Sequence, residues 1–128
     1  MVNKIRLVVA DDSSFQLKII DLLLKHLNLF DLQFTASNGS ELLRYLDCCL
    51  IYPQVCILDL HMPLMNGIET AHEIRIRFPT IKIFGFTSSN NLIEINYFKS
   101  NGALQVFSKS NPKKMLIKIC NYVNSITE

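Results

Sequence analysis

Three carboxylates, one hydroxyl and one amine stand at the ends of successive apolar runs in this chain. Asp11 and Asp12 follow the run from Ile5 to Ala10. Asp59 follows Val55-Cys56-Ile57-Leu58 and precedes the turn-forming Met62-Pro63-Leu64-Met65-Asn66-Gly67, while Thr87 and Lys109 close two later runs. Acids gathered in this way suit Mg²⁺, which takes octahedral oxygen ligands at about 2.0–2.1 Å and keeps several waters. Alone, Asp11-Asp12 reads first as a pair of acids at a helix N-terminus, favoured by the macrodipole. With Asp59 at a neighbouring strand end, the metal reading overtakes it. A carboxylate can also attack phosphorus to give an aspartyl phosphate. That chemistry needs a metal and a cation to spread charge over the phosphoryl oxygens. Lys109, after the largely apolar Leu104-Gln105-Val106-Phe107, reads as that cation rather than as a solvated lysine. Thr87 can donate its hydroxyl to a phosphoryl oxygen, or be an ordinary strand-end or capping threonine.

The elements that must bring these groups together alternate along the chain. Apolar runs at about 4–10, 31–36, 54–59, 81–86 and 104–107 read as strands, and helical patterns fill about 14–28, 39–51, 66–78, 90–101 and 112–126. Strict alternation of strand and helix predicts a parallel sheet covered on both faces, with right-handed crossovers. Ligands of such sheets sit outside the carboxyl ends of the strands, where the five residues are expected to converge. Ser13 or Ser14 can cap the first helix, and Asn38 the second, with Glu41 three residues on. Gly67 and Pro79 bracket the third helix, Asn101-Gly102 ends the fourth, and Pro112 suits the first turn of the fifth. The first helix carries more apolar residues than one face needs. One reading is a broad face buried on the sheet; the other leaves Phe15 and Ile19, one turn apart, exposed as a docking patch.

The 128 residues suit a single domain spanning 1–128, 49% hydrophobic and 19% charged, with room for a real core. No apolar run approaches the roughly 18–20 residues of a membrane span, and no signal peptide precedes the first strand. A net charge of +2 is too weak to argue for nucleic acid. Cys48, Cys49, Cys56 and Cys120 lack CxxC or zinc-like spacing and are expected to be buried, reduced thiols of a cytoplasmic protein.

In this order and at these intervals, Asp11-Asp12, Asp59-Leu60-His61-Met62-Pro63-Leu64-Met65-Asn66-Gly67, Thr87 and Lys109 resemble the signature of receiver domains of bacterial two-component response regulators, the CheY-like family. The resemblance covers essentially the whole chain. It implies an α/β flavodoxin-like fold, a doubly wound five-stranded parallel sheet in order 2-1-3-4-5. It further implies that Asp59 accepts a phosphoryl group from a phosphohistidine of a sensor histidine kinase or phosphotransfer protein. Mg²⁺ would be held by Asp12, Asp59 and the main-chain carbonyl of His61, with Asp11 acting through water. Thr87 and Lys109 would bind the phosphoryl oxygens. Thr87 and an aromatic two residues before the lysine, here Phe107, would form the switch; a plain core residue is the other reading of Phe107.

Three positions depart from the family pattern. Ser110 follows Lys109 where proline is usual, and the proline is delayed to Pro112, so the loop there and any docking on it are expected to differ. Ser88 replaces the usual small residue after the threonine and is expected to crowd the site. His61 stands near the path of an attacking water and is expected to influence phosphoryl lifetime, or else is a mere surface histidine. A phosphatase of haloacid-dehalogenase type is the alternative enzyme, but it wants a second acid two residues after the nucleophile, where this chain has His61. A flavin-binding module would need a phosphate loop where the chain has two acids. An unphosphorylated pseudo-receiver usually lacks one of the five key residues, and all five are present. From Ile95 to Thr127 there is no acid, while Lys99, Lys109, Lys113, Lys114 and Lys118 fall there. A face built from the fourth helix, last strand and fifth helix would repel its own copy, so a salt-bridged dimer through it is disfavoured and a monomer or weak dimer expected.

Overall fold

The computed structural model describes residues 3–126. Strands β1 (Ile5–Ala10), β2 (Phe30–Ala36), β3 (Val55–Asp59), β4 (Lys82–Thr87) and β5 (Ala103–Ser108) alternate with helices α1 (Ser14–Leu27), α2 (Gly39–Cys48), α3 (Gly67–Arg77), α4 (Leu92–Ser100) and α5 (Pro112–Ile126). All strand pairs are parallel, and the order is β2-β1-β3-β4-β5. This is the parallel sheet expected from the alternation of elements, in the order 2-1-3-4-5 that the family resemblance implies.

Alternation along each strand divides the core in two. Val8, Ala10, Cys56, Leu58 and Ile83 face one way, against Leu42, Leu43 and Leu46 of α2, Ala71 and Ile74 of α3, and Phe98 of α4. Leu7, Val9, Val55, Ile57, Phe84 and Phe86 face the other way, against Ile20 and Leu24 of α1 and Met115, Leu116, Ile119 and Cys120 of α5. All five residues of β3 are buried, as befits a strand covered on both faces.

Helix ends follow local chemistry. Ser13 Oγ accepts from the Gln16 amide, and Asn38 Oδ1 accepts from the Glu41 amide. A full capping box opens α3: Asn66 Oδ1 accepts from Glu69 N–H while Glu69 Oε1 accepts from Asn66 N–H. Gly102, with φ 131°, ends the stretch after α4.

Several expectations need correction. Helix α2 ends at Cys48 rather than near 51, since Leu50, Ile51 and Tyr52 continue an apolar pattern but stand out in solvent. Helix α4 begins at Leu92, where Asn91 caps it, rather than at 90. Helix α1 does set a broad face on the core, but with only Ile20 and Leu24 fully buried; Leu17, Leu23 and Leu27 are half-buried against the same cluster, and Leu22 is exposed. Of the two docking candidates, Phe15 is 71% exposed but Ile19 is half-buried. All four cysteines are free, yet Cys48 is exposed and Cys49 half-buried, leaving only Cys56 and Cys120 in the core.

Helix α4 is the least embedded. Its one buried side chain is Phe98, and the ring sits where Gly85 of β4 leaves room. A Cβ on Gly85 would stand 2.7 Å from Phe98 Cε2.

Candidate functional site

Parallel pairing sets the strand ends level. In the β1–β3 register Ala10 lies beside Leu58, which puts Asp11 and Asp59 on adjacent strand ends. In the next pair Asp59 lies beside Phe86, the residue before Thr87. Lys109 continues the β4–β5 ladder by donating its amide to Thr87 O at 3.0 Å. The rim thus carries Asp11, Asp12, Asp59, Thr87 and Lys109 together.

Carboxylate oxygens of Asp11, Asp12 and Asp59 all lie within 4.8 Å of one another. Asp11 is fully buried, Asp59 nearly so, and Asp12 exposed. The Lys109 ammonium lies 3.0 Å from Asp11 Oδ2 and 3.2 Å from Asp59 Oδ1, and 5.5 Å from the centre of the Phe86 ring. One amine faces three acids, so the cluster keeps a surplus of negative charge. Burial, together with the Asp11 charge, pushes the Asp59 carboxyl up to about 7 against the pull of Lys109. Burial alone would lower the Lys109 amine, but bonding to Asp11 and the charges of Asp59 and Asp11 outweigh it, and the net shift is upward.

These residues fit a divalent cation. Asp11 Oδ1 accepts from Ser13 N–H, whereas Asp11 Oδ2 is buried without a well-formed hydrogen bond, compensated by the Lys109 charge alone. Hard oxygen donors, one of them held only by the Lys109 ammonium, with an exposed carboxylate at the edge, make a set suited to Mg²⁺.

The loop after β3 is shaped for close approach. Gly67 N–H donates to Leu60 O, and a Cβ there would stand 2.3 Å from the carbonyl oxygen of Asp59. Leu64 adopts φ 67° and is 88% exposed, a left-handed placement that costs a leucine roughly 1–2 kcal/mol.

Thr87 is buried, and its Oγ1 accepts from Ser89 N–H at 3.0 Å. Ser88 is exposed. The exposed His61 side chain turns to α4, its Nε2 3.4 Å from Glu94 Oε2. Phe107 is half-buried and packs on the α1/α5 core, its ring centre 6.1 Å from that of Phe84. In the loop after Lys109, Ser110 N–H donates to Ser108 Oγ, and the two hydroxyls bond at 2.9 Å. Phe15 is placed on the first turn of α1, just past the acids, and Ile19 one turn on. Sequence reasoning missed Glu94 and Ser89; nothing in the spacing marks Glu94, because its partner His61 belongs to a different loop.

Comparison with known proteins agrees with this geometry. The family described as "Response regulator receiver domain" matches residues 7–121. A protein-glutamate methylesterase/protein-glutamine glutaminase of Bacillus subtilis (strain 168) is 35% identical over 94 residues, 72% of this chain and 26% of that protein. A homologous protein of the same description from Clostridium acetobutylicum is 36% identical over 86 residues, 67% of this chain and 24% of its own length. The chain thus spans about a quarter of the curated relatives it matches. Among solved structures, a CheY-like response regulator receiver domain protein from Methanospirillum hungatei JF-1 superposes with a TM-score of 0.83 at 20% identity, covering 96% of each chain. The signal receiver domain of the putative response regulator NarL from Mycobacterium tuberculosis gives a TM-score of 0.82 at 20% identity, covering 93% of this chain and 98% of that one.

Proposed function

This chain belongs to the response regulator receiver domain family, and from that premise we propose that Asp59 is the phosphoacceptor of a two-component signalling switch. The observation that carries the reading is the Lys109 ammonium set between Asp11 and Asp59, with Asp12 at the same rim. A carboxylate oxygen of Asp59 attacks the phosphorus of a phosphohistidine on a sensor histidine kinase or phosphotransfer protein. The new O–P bond replaces the N–P bond, and the imidazole leaves with its electron pair.

Asp11, Asp12 and Asp59, with the main-chain carbonyl of His61, would hold Mg²⁺, whose charge offsets that of the phosphoryl oxygens. Lys109 supplies a fixed cation between Asp11 and Asp59. The Thr87 hydroxyl, poised one residue beyond the neighbour of Asp59, is the donor that turns to the phosphoryl group, and Phe107 packs inward with it. Phe15 and the half-buried Ile19 offer the donor protein a contact beside the acids. This is stoichiometric chemistry of a signalling domain rather than turnover of a metabolite, located in the cytoplasm with its donor. Residues 1–128 act as one receiver unit. Lysines on α4 and α5 disfavour a salt-bridged self-association through α4, β5 and α5.

Intact-protein mass spectrometry after acetyl phosphate and Mg²⁺ tests the reading. A metal-dependent gain of about 80 Da, one phosphoryl group on an activated nucleophile, is expected in the wild type and absent in Asp59→Asn. No gain in a folded, Mg²⁺-binding wild type would refute it.

A further inference from the structure

A chain of contacts leads from the surface to the hydroxyl of Thr87. Glu94, in the first turn of α4, uses both carboxylate oxygens. Its Oε1 accepts from Ser89 Oγ–H at 3.1 Å, and its Oε2 lies 3.4 Å from His61 Nε2 in the loop after β3. Ser89 Oγ also accepts from Asn91 N–H at 3.1 Å, and Ser89 N–H donates to Thr87 Oγ1 at 3.0 Å. Asn91 in turn caps α4 by accepting from the amides of Ile93 and Glu94. The loop between β4 and α4 is therefore fastened at both ends and at its middle.

These contacts hold Thr87 in one placement, with its Oγ1 on the Ser89 amide. When the Thr87 hydroxyl swings to a phosphoryl oxygen, the Ser89 amide must follow it or lose its acceptor. Ser89 is not free to follow while its own hydroxyl is tied to Glu94, and Glu94 is steadied by His61 from across the site. We propose that Glu94 is a positioning residue that holds Thr87 in its resting placement through Ser89, so that it sets how readily the domain switches. The proposal rests on the phosphoacceptor reading and adds to it a residue outside the five at the rim.

A contact present in only one of two states biases the equilibrium by its own free energy. Hydrogen bonds of ordinary strength, lost from the resting state alone, make the switched state about threefold to tenfold easier to reach. Beryllofluoride with Mg²⁺, a stand-in for the phosphoryl group on Asp59, reads this directly when titrated and followed by the backbone amide resonances of Thr87 and Ser89. Glu94→Ala is expected to bind it about threefold to tenfold more tightly than wild type. Glu94→Gln, which keeps an oxygen for the Ser89 hydroxyl, should return most of the way to wild type. In a Thr87→Ala background the Glu94→Ala effect should fall within twofold, because the route to the site is gone. Should Glu94→Ala fail to fold, Ser89→Ala cuts the same tie and is expected to tighten binding similarly.

A purely structural role in α4 predicts a lower melting temperature with unchanged beryllofluoride affinity, and that result overturns the proposal. So does a Glu94→Ala effect of full size in the Thr87→Ala background. Wild type that binds no beryllofluoride refutes the phosphoacceptor reading and this inference together, whereas wild-type binding with unaltered variants refutes this inference alone.

Discussion

Removing the charge of Asp59 should make the metal-free protein more stable, although it removes the proposed phosphoacceptor. Asp59 is 4% exposed and shares its rim with the buried Asp11, with Lys109 as counter-charge. Its carboxyl is pushed up to about 7 by burial and the Asp11 charge, against about 3.9 in the unfolded chain. A raised carboxyl favours the native state while protonated, and that advantage is fully present below about pH 4. It is lost as pH rises through about 7, because the unfolded chain ionises first. The gap of about 3 pH units corresponds to roughly 4 kcal/mol at pH 7.5, with Lys109 already included in the balance. A neutral amide of the same shape should recover on the order of 2–4 kcal/mol. For a chain of this size that is a rise of about 6–12 °C in melting temperature. Thermal unfolding followed by circular dichroism, in chelator, compares wild type with Asp59→Asn at pH 7.5 and pH 4.5. The variant should be more stable at pH 7.5, with the gap cut to about a quarter at pH 4.5. Millimolar Mg²⁺ should narrow the gap at pH 7.5, since a cation stabilises only the native cluster of the wild type. Equal melting at pH 7.5 in chelator, or a gap that persists undiminished at pH 4.5, would refute the charge-surplus account.

Three further outcomes follow from the same geometry. Lys109→Met leaves Asp11 and Asp59 without their counter-charge, and should cost about 3–5 kcal/mol in urea unfolding at pH 7.5, with a smaller loss at pH 5 once a carboxyl takes up a proton. Gly67→Ala puts a methyl 2.3 Å from the Asp59 carbonyl oxygen; a destabilisation of roughly 1–3 kcal/mol is expected, with weaker Mg²⁺ binding by calorimetry as the loop shifts. Asn66→Ala breaks the capping box of α3 and should cost about 1 kcal/mol, measurable in the same urea series without loss of Mg²⁺ binding.

The sheet was legible because its central strands β1, β3 and β4 are buried nearly throughout, so apolar runs of strand length carry the signal without long-range information. Its ordered punctuation, Ser13, Asn38, Gly67 and Pro112, fixed most helix starts for local reasons. Where reading failed, solvent decided. Leu50 and Ile51 extend an apolar pattern past Cys48, and Phe15 and Leu22 swell the apolar count of α1, yet all four are exposed. Apolar type states only what a side chain tolerates. Asp11, Asp12, Asp59, Thr87 and Lys109 could be placed on one rim because parallel pairing brings strand ends level. The contacts of Glu94 with Ser89 and His61 depend on side-chain directions in three separate segments, and no spacing in the chain encodes those.

Phe98 gives α4 an attachment unlike that of its neighbours. Helices α2, α3 and α5 each bury several side chains, so any tilt of theirs must repack a layer of core. Helix α4 is seated by one ring in the hollow above Gly85, two residues before Thr87. A single ring in a hollow works as a ball in a socket. The remaining ties of the helix are polar and lie at its two ends, Glu94 to His61 and the Ser100 carbonyl to Arg75, so a turn about that ring would exchange surface contacts without repacking a layer of core.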